Sequence, residues 1–307
     1  MKISIVTPTY NEEKNIPLVI EKIKNIMSKA DYDYEHIIID NNSTDRTQEV
    51  IKSYASEDKN IKAIFNLHNY GQSRSPYYAM LNSSGDAVIW IDSDLQIPFE
   101  SIPDLIAKWE TKSNDIILLK RTVTYEGFFL KTMRFLFYKF LNIFSSDQPS
   151  INTNGNGLYD KKVIKHLKNI NDPNPYLRGL IFELGFRIDY INFERIKRIH
   201  GKTSNNFFSL LDLGMTGIVK HTRAARGLII LGFILSLFFF MLSLIFLILK
   251  LIFWNLFEFG LAPLMIGLFF IGSLQLFFLG IIGEYCTIIL NYNKNLPIVI
   301  ERERINF

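Results

Sequence analysis

Asp92 and Asp94 stand one residue apart at the end of Val88-Ile89-Trp90-Ile91, an apolar run with the composition of a buried strand. A strand that ends in Asp-x-Asp delivers both carboxylates to the carboxyl edge of a sheet, where open α/β folds bind their ligands. Hard oxygen ligands of this kind suit Mg2+ or Mn2+ held against a diphosphate, and Gln96 offers a further oxygen two residues on. The ion would assist a departing nucleoside diphosphate as a Lewis acid. Asp-Ser-Asp also occurs in ordinary turns, so the surrounding chain must supply the context.

Three more segments offer compatible chemistry. Thr7-Pro8-Thr9-Tyr10-Asn11-Glu12-Glu13 follows an apolar strand; Tyr10 could stack on a base and Glu12 accept from it, although a Pro turn with an acidic helix start reads the same way. Asp40 ends a second strand, placed to accept from a nucleobase or ribose. The segment from Lys120 to Arg134 and the run Arg195-Ile196-Lys197-Arg198-Ile199-His200-Gly201-Lys202 supply guanidinium groups that can grip phosphate through paired hydrogen bonds, although a charge run, Lys197 and Lys202 above all, also reads as a solvated face. His36, His68 and His166 sit in contexts that read as structural. No Ser/His/Asp arrangement emerges, and the single Cys286 excludes a Cys-rich zinc site and any disulfide within the chain.

Positioning these groups requires a sheet, and the first 120 residues supply its pattern. Apolar strands at Ile3 to Thr7, His36 to Ile39, Ile61 to Phe65, Ala87 to Ile91 and Asp115 to Leu119 alternate with helical stretches, as in a parallel α/β unit. Ile16, Val19, Ile20 and Ile23 keep helical spacing on the first helix. Asn152 to Gly157 reads as a polar Asn/Gly loop, and Glu126 to Phe144 as an amphipathic, Phe-rich helix.

The 307 residues are 48% hydrophobic, with 26 Phe, many of them toward the C-terminus. Gly227 to Leu249 and Phe259 to Gly283 are free of charge and long enough to span a bilayer. Basic residues before the first stretch and after the second give the positive-inside bias, which places both the N-terminal domain and the tail in the cytoplasm. The expectation is therefore a multi-pass membrane protein. Residues 1–206 would form the catalytic domain, 207–226 a juxtamembrane helix, 227–283 two transmembrane helices at about 227–249 and 260–283, and 284–307 a cytoplasmic tail. A net charge of +4 and the absence of any nucleic-acid motif argue against a nucleic-acid partner.

Taken in order, Pro8-Thr9-Tyr10-Asn11-Glu12, Asp40-Asn41-Asn42-Ser43-Thr44-Asp45, Gly71 and Asp92-Ser93-Asp94-Leu95-Gln96 resemble the landmarks of inverting family-two glycosyltransferases with the GT-A, Rossmann-like fold. Tyr176-Leu177-Arg178-Gly179-Leu180, Arg198-x-x-Gly-Lys-Thr, the two apolar stretches and Gly283-Glu284-Tyr285 look like its polyprenyl-phosphate subgroup, the bactoprenol glucosyltransferases and dolichol-phosphate mannosyltransferases. The resemblance implies Pro8, Tyr10, Glu12 and Asp40 at the nucleotide, Asp92, Asp94 and Gln96 at Mg2+ or Mn2+, and Arg121, Arg134 and Arg198 at the donor and acceptor phosphates. It further implies a nucleotide-sugar donor, UDP-glucose first, a polyprenyl (undecaprenyl) phosphate acceptor at the bacterial plasma membrane, and a homo-oligomer, a tetramer in relatives. The rival readings are a transferase with a sugar-hydroxyl acceptor and a non-catalytic membrane scaffold. Three positions depart from the family pattern: Asn41 follows Asp40 where a second acid is common, Ser204 replaces a Lys, and Asn156-Gly157-Leu158-Tyr159-Asp160 lacks an Arg.

Overall fold

In a computed structural model, residues 1–122, 153–170, 172–196, 261–294 and 296–307 are described, with isolated positions between 237 and 252. The expected alternation holds through the first five strands. These are β1 (Lys2–Thr9), α1 (Ile16–Met27), β2 (Asp33–Asp40), α2 (Thr47–Glu57), β3 (Ile61–Asn66), α3 (Gly71–Leu81), β4 (Ala87–Trp90), α4 (Ser101–Glu110) and β5 (Ile116–Arg121). Beyond them lie β6 (Thr153–Asp160), α5 (Lys161–Lys168), α6 (Leu177–Glu183), β7 (Ile188–Phe193), α7 (Leu261–Asn293) and β8 (Glu301–Ile305).

One sheet joins all eight strands in the order β7-β5-β6-β4-β1-β2-β3-β8. Strands β1 to β4 pair in parallel, as do β5 and β7, while β6 runs against both its neighbours and β8 against β3. The α/β class with a mainly parallel sheet is therefore as expected. Because β1 to β4 run the same way, the loops after all four open at one edge.

Side-chain alternation builds a core on each face. Ile3, Ile5, Ile117 and Leu119 pack with α1 and α4, whose Val19, Ile23, Leu105 and Trp109 are buried at helical spacing. Val6, Ile116 and Leu118 point the other way, onto α3, α5 and α6. Burying such side chains on both faces, at roughly 1.5–3 kcal/mol each, is what holds the loops in place.

Three expectations change. Asn152 to Gly157 is not a loop: from Thr153 it is strand β6, wedged between β4 and β5. Its glycines make this possible, since a Cβ on Gly157 would lie 2.1 Å from the Ile117 carbonyl oxygen and one on Gly155 2.9 Å from the Trp90 ring. The tail is not a separate appendage either; β8 completes the sheet, and Arg74 donates to the carbonyls of Ile298 and Pro297.

Among the described residues no helix is long and apolar enough to cross a membrane. This overturns the expected multi-pass placement in a bacterial plasma membrane. From Leu261 on, the second charge-free stretch is part of α7, which continues through Glu284 to Asn293. The first, 227–249, the 207–226 helix and the amphipathic segment at 126–144 lie outside the described residues, apart from isolated positions.

Candidate functional site

A cleft of ≈ 530 Å³ opens at the carboxyl edge of β1 to β4. Three of the loops that form it contain a non-glycine residue with positive φ: Asn11 (56°), Asn42 (63°) and Leu95 (55°). Asn tolerates this conformation, whereas Leu does so at a cost, and such strain concentrates where geometry is imposed by a site. Leu95 is also buried, so the turn that follows Asp94 is held by packing.

Pro8, Thr9, Tyr10 and Glu12 form the wall after β1. Asn11 bridges this wall to the next loop: its N–H donates to Ser43 Oγ at 2.8 Å and its side-chain oxygen accepts from Thr44 N at 2.8 Å. Asp40, expected at the nucleotide, is fully buried and does not line the cleft. Its carboxylate accepts from Ser43 N (3.1 Å), from Ser43 Oγ and from Gln48 Nε2 (2.7 Å), so it pins the turn behind the wall. Burial raises its pKa, against those hydrogen bonds and the charge of Arg302.

Asn41 takes the wall position instead. Its Oδ1 accepts from Asn66 Nδ2 (3.1 Å), Tyr70 N (2.8 Å) and Ser75 Oγ (2.8 Å), and its Nδ2 donates to Asn69 Oδ1 (2.7 Å) and the Gly71 carbonyl (3.2 Å). The departure from a second acid therefore has a structural reason: a carboxylate has no N–H to give Asn69 and Gly71. The turn so held presents Tyr70 to the cleft, and the Arg74 guanidinium stacks 4.8 Å from its ring.

Asp92 and Asp94 both line the cleft. Trp90 Nε1 donates to Asp92 Oδ1 at 3.0 Å, and Gln96 N donates to Asp94 Oδ1 at 3.2 Å. Burial and then the neighbouring Asp94 push the Asp92 pKa up, opposed by Asn156, Trp90 and Arg178. Gln96 is directed elsewhere: its side-chain oxygen accepts from Arg195 Nε at 3.0 Å, which leaves the two aspartates as the cleft's oxygen donors beside β4.

Arg121 lies in the same field. Burial, then the charges of Arg195 and Arg178, bring its pKa down to about 10, against the pull of Asp92 and Asp94. Arg121, Arg178 and Arg195 thus share one charge field with the carboxylate pair, and of the three Arg178 lines the cleft itself, a positive setting that favours an added polyanion. Arg178 was only a landmark in the sequence; here it lines the cleft and its Nε donates to the Asn154 carbonyl at 3.0 Å. Asn156, noted only for the missing Arg beside it, also lines the cleft, as do Thr9, Asn69 and Trp90. Arg134 and Arg198 lie outside the described residues.

Residues 4–168 match the family described as Glycosyl transferase family 2. The bactoprenol glucosyl transferase of Shigella phage SfV is 29% identical over 99% of both chains. The SfII prophage-derived bactoprenol glucosyl transferase of Shigella flexneri is 30% identical, covering 97% of this chain and 96% of its own. Among solved structures, mannosyl-3-phosphoglycerate synthase from Rubrobacter xylanophilus aligns with a TM-score of 0.50 at 16% identity, covering 76% of this chain and 75% of that one, a likeness of fold.

Proposed function

Because the chain belongs to glycosyl transferase family 2 and has a GT-A-like α/β fold, we propose that it transfers a hexose from a nucleotide-diphosphate sugar, UDP-glucose by preference, to polyprenyl phosphate with inversion. The observation that carries this reading is the Asp92/Asp94 pair lining the cleft with Arg178 at the edge of the sheet, in a charge field that Arg121 and Arg195 share. The full-length Shigella relatives named bactoprenol glucosyl transferase support glucose and a polyprenol phosphate as the substrate pair.

The donor set fits a small hard cation. Two carboxylates, one of them disfavoured as an anion by burial and by its neighbour, gain from a divalent charge. No third His, Cys, Asp or Glu joins them among the described residues, which suits Mg2+ or Mn2+, ions that keep water and substrate phosphates in their shell. Bound there, the ion supplies Lewis-acid stabilisation to the leaving diphosphate.

The protein's own groups do the rest. Tyr10 and Tyr70 offer aromatic faces to the base, and the arginines hold two anions together despite their repulsion, with Arg134 and Arg198 belonging to the same proposal by resemblance. An acceptor phosphate oxygen forms the new bond to the anomeric carbon as the bond to the diphosphate breaks and its electron pair leaves with the nucleotide. No general base is required, since a phosphate monoester with a second pKa of ~6 is largely dianionic at neutral pH. Purified protein given undecaprenyl phosphate, UDP-glucose and Mn2+ should yield a hexosyl-phosphoryl-polyprenol by mass spectrometry. Product only with a hydroxyl-bearing sugar acceptor, or no consumption of any nucleotide sugar, would refute the assignment.

A further inference from the structure

Asn156 is a polar side chain of the cleft that the scheme above leaves without a task, and of the cleft residues it alone has two buried, unpartnered polar atoms among the described residues. It is 1% exposed, it lines the cleft along with Trp90 and Asp92, and neither its Nδ2 nor its Oδ1 has a hydrogen-bond partner. Asp92 lies near enough to feel it, but not in hydrogen-bonding geometry. The backbone leaves it little freedom. Gly155 on one side is flush with the Trp90 ring and Gly157 on the other with the main chain of β5, so β6 is pressed inward at this point. Arg178, bonded to the Asn154 carbonyl, ties down the start of the strand.

A buried carboxamide with both ends unsatisfied destabilises a folded chain, and an aliphatic residue of similar size would not. Such a group asks for a ligand that both gives and receives hydrogen bonds. Phosphate oxygens only accept and a metal ion only takes lone pairs, so each would answer half of the carboxamide. A hydroxyl does both, and neighbouring hydroxyls on a hexose present the two functions side by side.

We propose that Asn156 hydrogen-bonds a pair of hydroxyls on the donor sugar and sets which hexose the cleft accepts. This rests on the nucleotide-sugar reading given above and deepens it. A site built to bond a hydroxyl rejects the analogue lacking it, because the buried partner is then left unpaired.

Calorimetric titration with UDP, UDP-glucose and UDP-hexoses each lacking one hydroxyl, in Mn2+, tests this on the wild type, Asn156→Ala and Asn156→Leu. The wild type should bind UDP-glucose about tenfold more tightly than one of the deoxy analogues, and both variants should lose that discrimination while their affinity for UDP stays within about twofold. Asn156→Leu should also melt no lower than the wild type without ligand, which shows that the fold survives. If UDP and UDP-glucose weaken in parallel, or the variants discriminate as the wild type does, the assignment to the sugar is wrong. A wild type that binds neither UDP nor any UDP-hexose removes the donor reading itself, and this inference with it.

Discussion

Asn41→Asp tests whether the wall after β2 is built as the hydrogen bonds indicate. The substitution keeps shape and volume and supplies the second acid that the family resemblance leads one to expect beside Asp40. It also replaces the Nδ2 that donates to Asn69 Oδ1 at 2.7 Å and to the Gly71 carbonyl at 3.2 Å with an oxygen that faces both as an acceptor. Two acceptors lose their donor, each costing about 1–3 kcal/mol if left unsatisfied. The three bonds to Oδ1 survive and gain from the charge by about 1 kcal/mol between them. The balance is a loss of ~2 kcal/mol, or a fall in melting temperature of roughly 4–8 °C for a domain of this size. The sign with pH follows. The new carboxyl is buried against acceptors, so its folded pKa lies above its unfolded value. The variant therefore approaches the wild type as pH falls toward the carboxyl range, where the protonated form regains one donor, and falls behind as pH rises. Melting curves at pH 4.5 and 7.5, read by tryptophan fluorescence, measure this, and UDP affinity should drop with the Tyr70 turn. Equal melting temperatures for variant and wild type at both pH values would refute the account of Asn41.

Further outcomes follow from the same geometry. Asp92→Asn keeps the acceptor for Trp90 Nε1 and removes a buried charge beside Asp94, so it should melt at or above the wild type while turnover falls by at least ~10³-fold; Asp94→Asn should match it in turnover, measured by radiolabelled sugar transfer. Arg178→Ala removes a charge from the anion-binding group and should weaken UDP binding by about 10–100-fold in calorimetry. Gly71 has φ 81° with open space where a Cβ would sit, so Gly71→Ala should cost only backbone strain, ~1–2 kcal/mol in urea unfolding. Burial, against a small opposing pull from Asp58, holds the pKa of His36 down to about 3 from 6.5, so the unfolded chain takes up a proton that the native one refuses. Stability to urea should therefore fall as pH drops from 6.5 toward 3, and His36→Gln, which keeps a partner for Thr7, should flatten that slope.

The parallel half of the sheet was legible because buried strands are near-continuous apolar runs and the helices between them keep a 3.6-residue period. The Asp92/Asp94 edge and the Pro8 to Glu12 wall followed from where those strands end. What was not legible depended on partners far along the chain. Thr-Asn-Gly-Asn-Gly reads as a turn by composition, yet its glycines are what allow β6 to lie against Ile117 and Trp90. Glu301 to Ile305 reads as a charged tail, but Lys52 pairs with Glu303, and Arg302 donates to Gln48. Gln96 looks like a ligand until Arg195, 99 residues away, takes its oxygen. The inward turn of Asp40 depends on Gln48 and Ser43, whose local spacing suited a helix cap equally well.

β8 has a consequence for how the protein is made. Without it, β3 is a bare sheet border whose main-chain groups invite pairing with another copy. The pairing that closes this border sets Ala63 opposite Ile305, so β3 leaves the ribosome long before its partner strand can seal it. Nascent chains therefore carry an adhesive flank from the emergence of β3 until β8 arrives, and their yield should depend on chaperones that shield it over that interval.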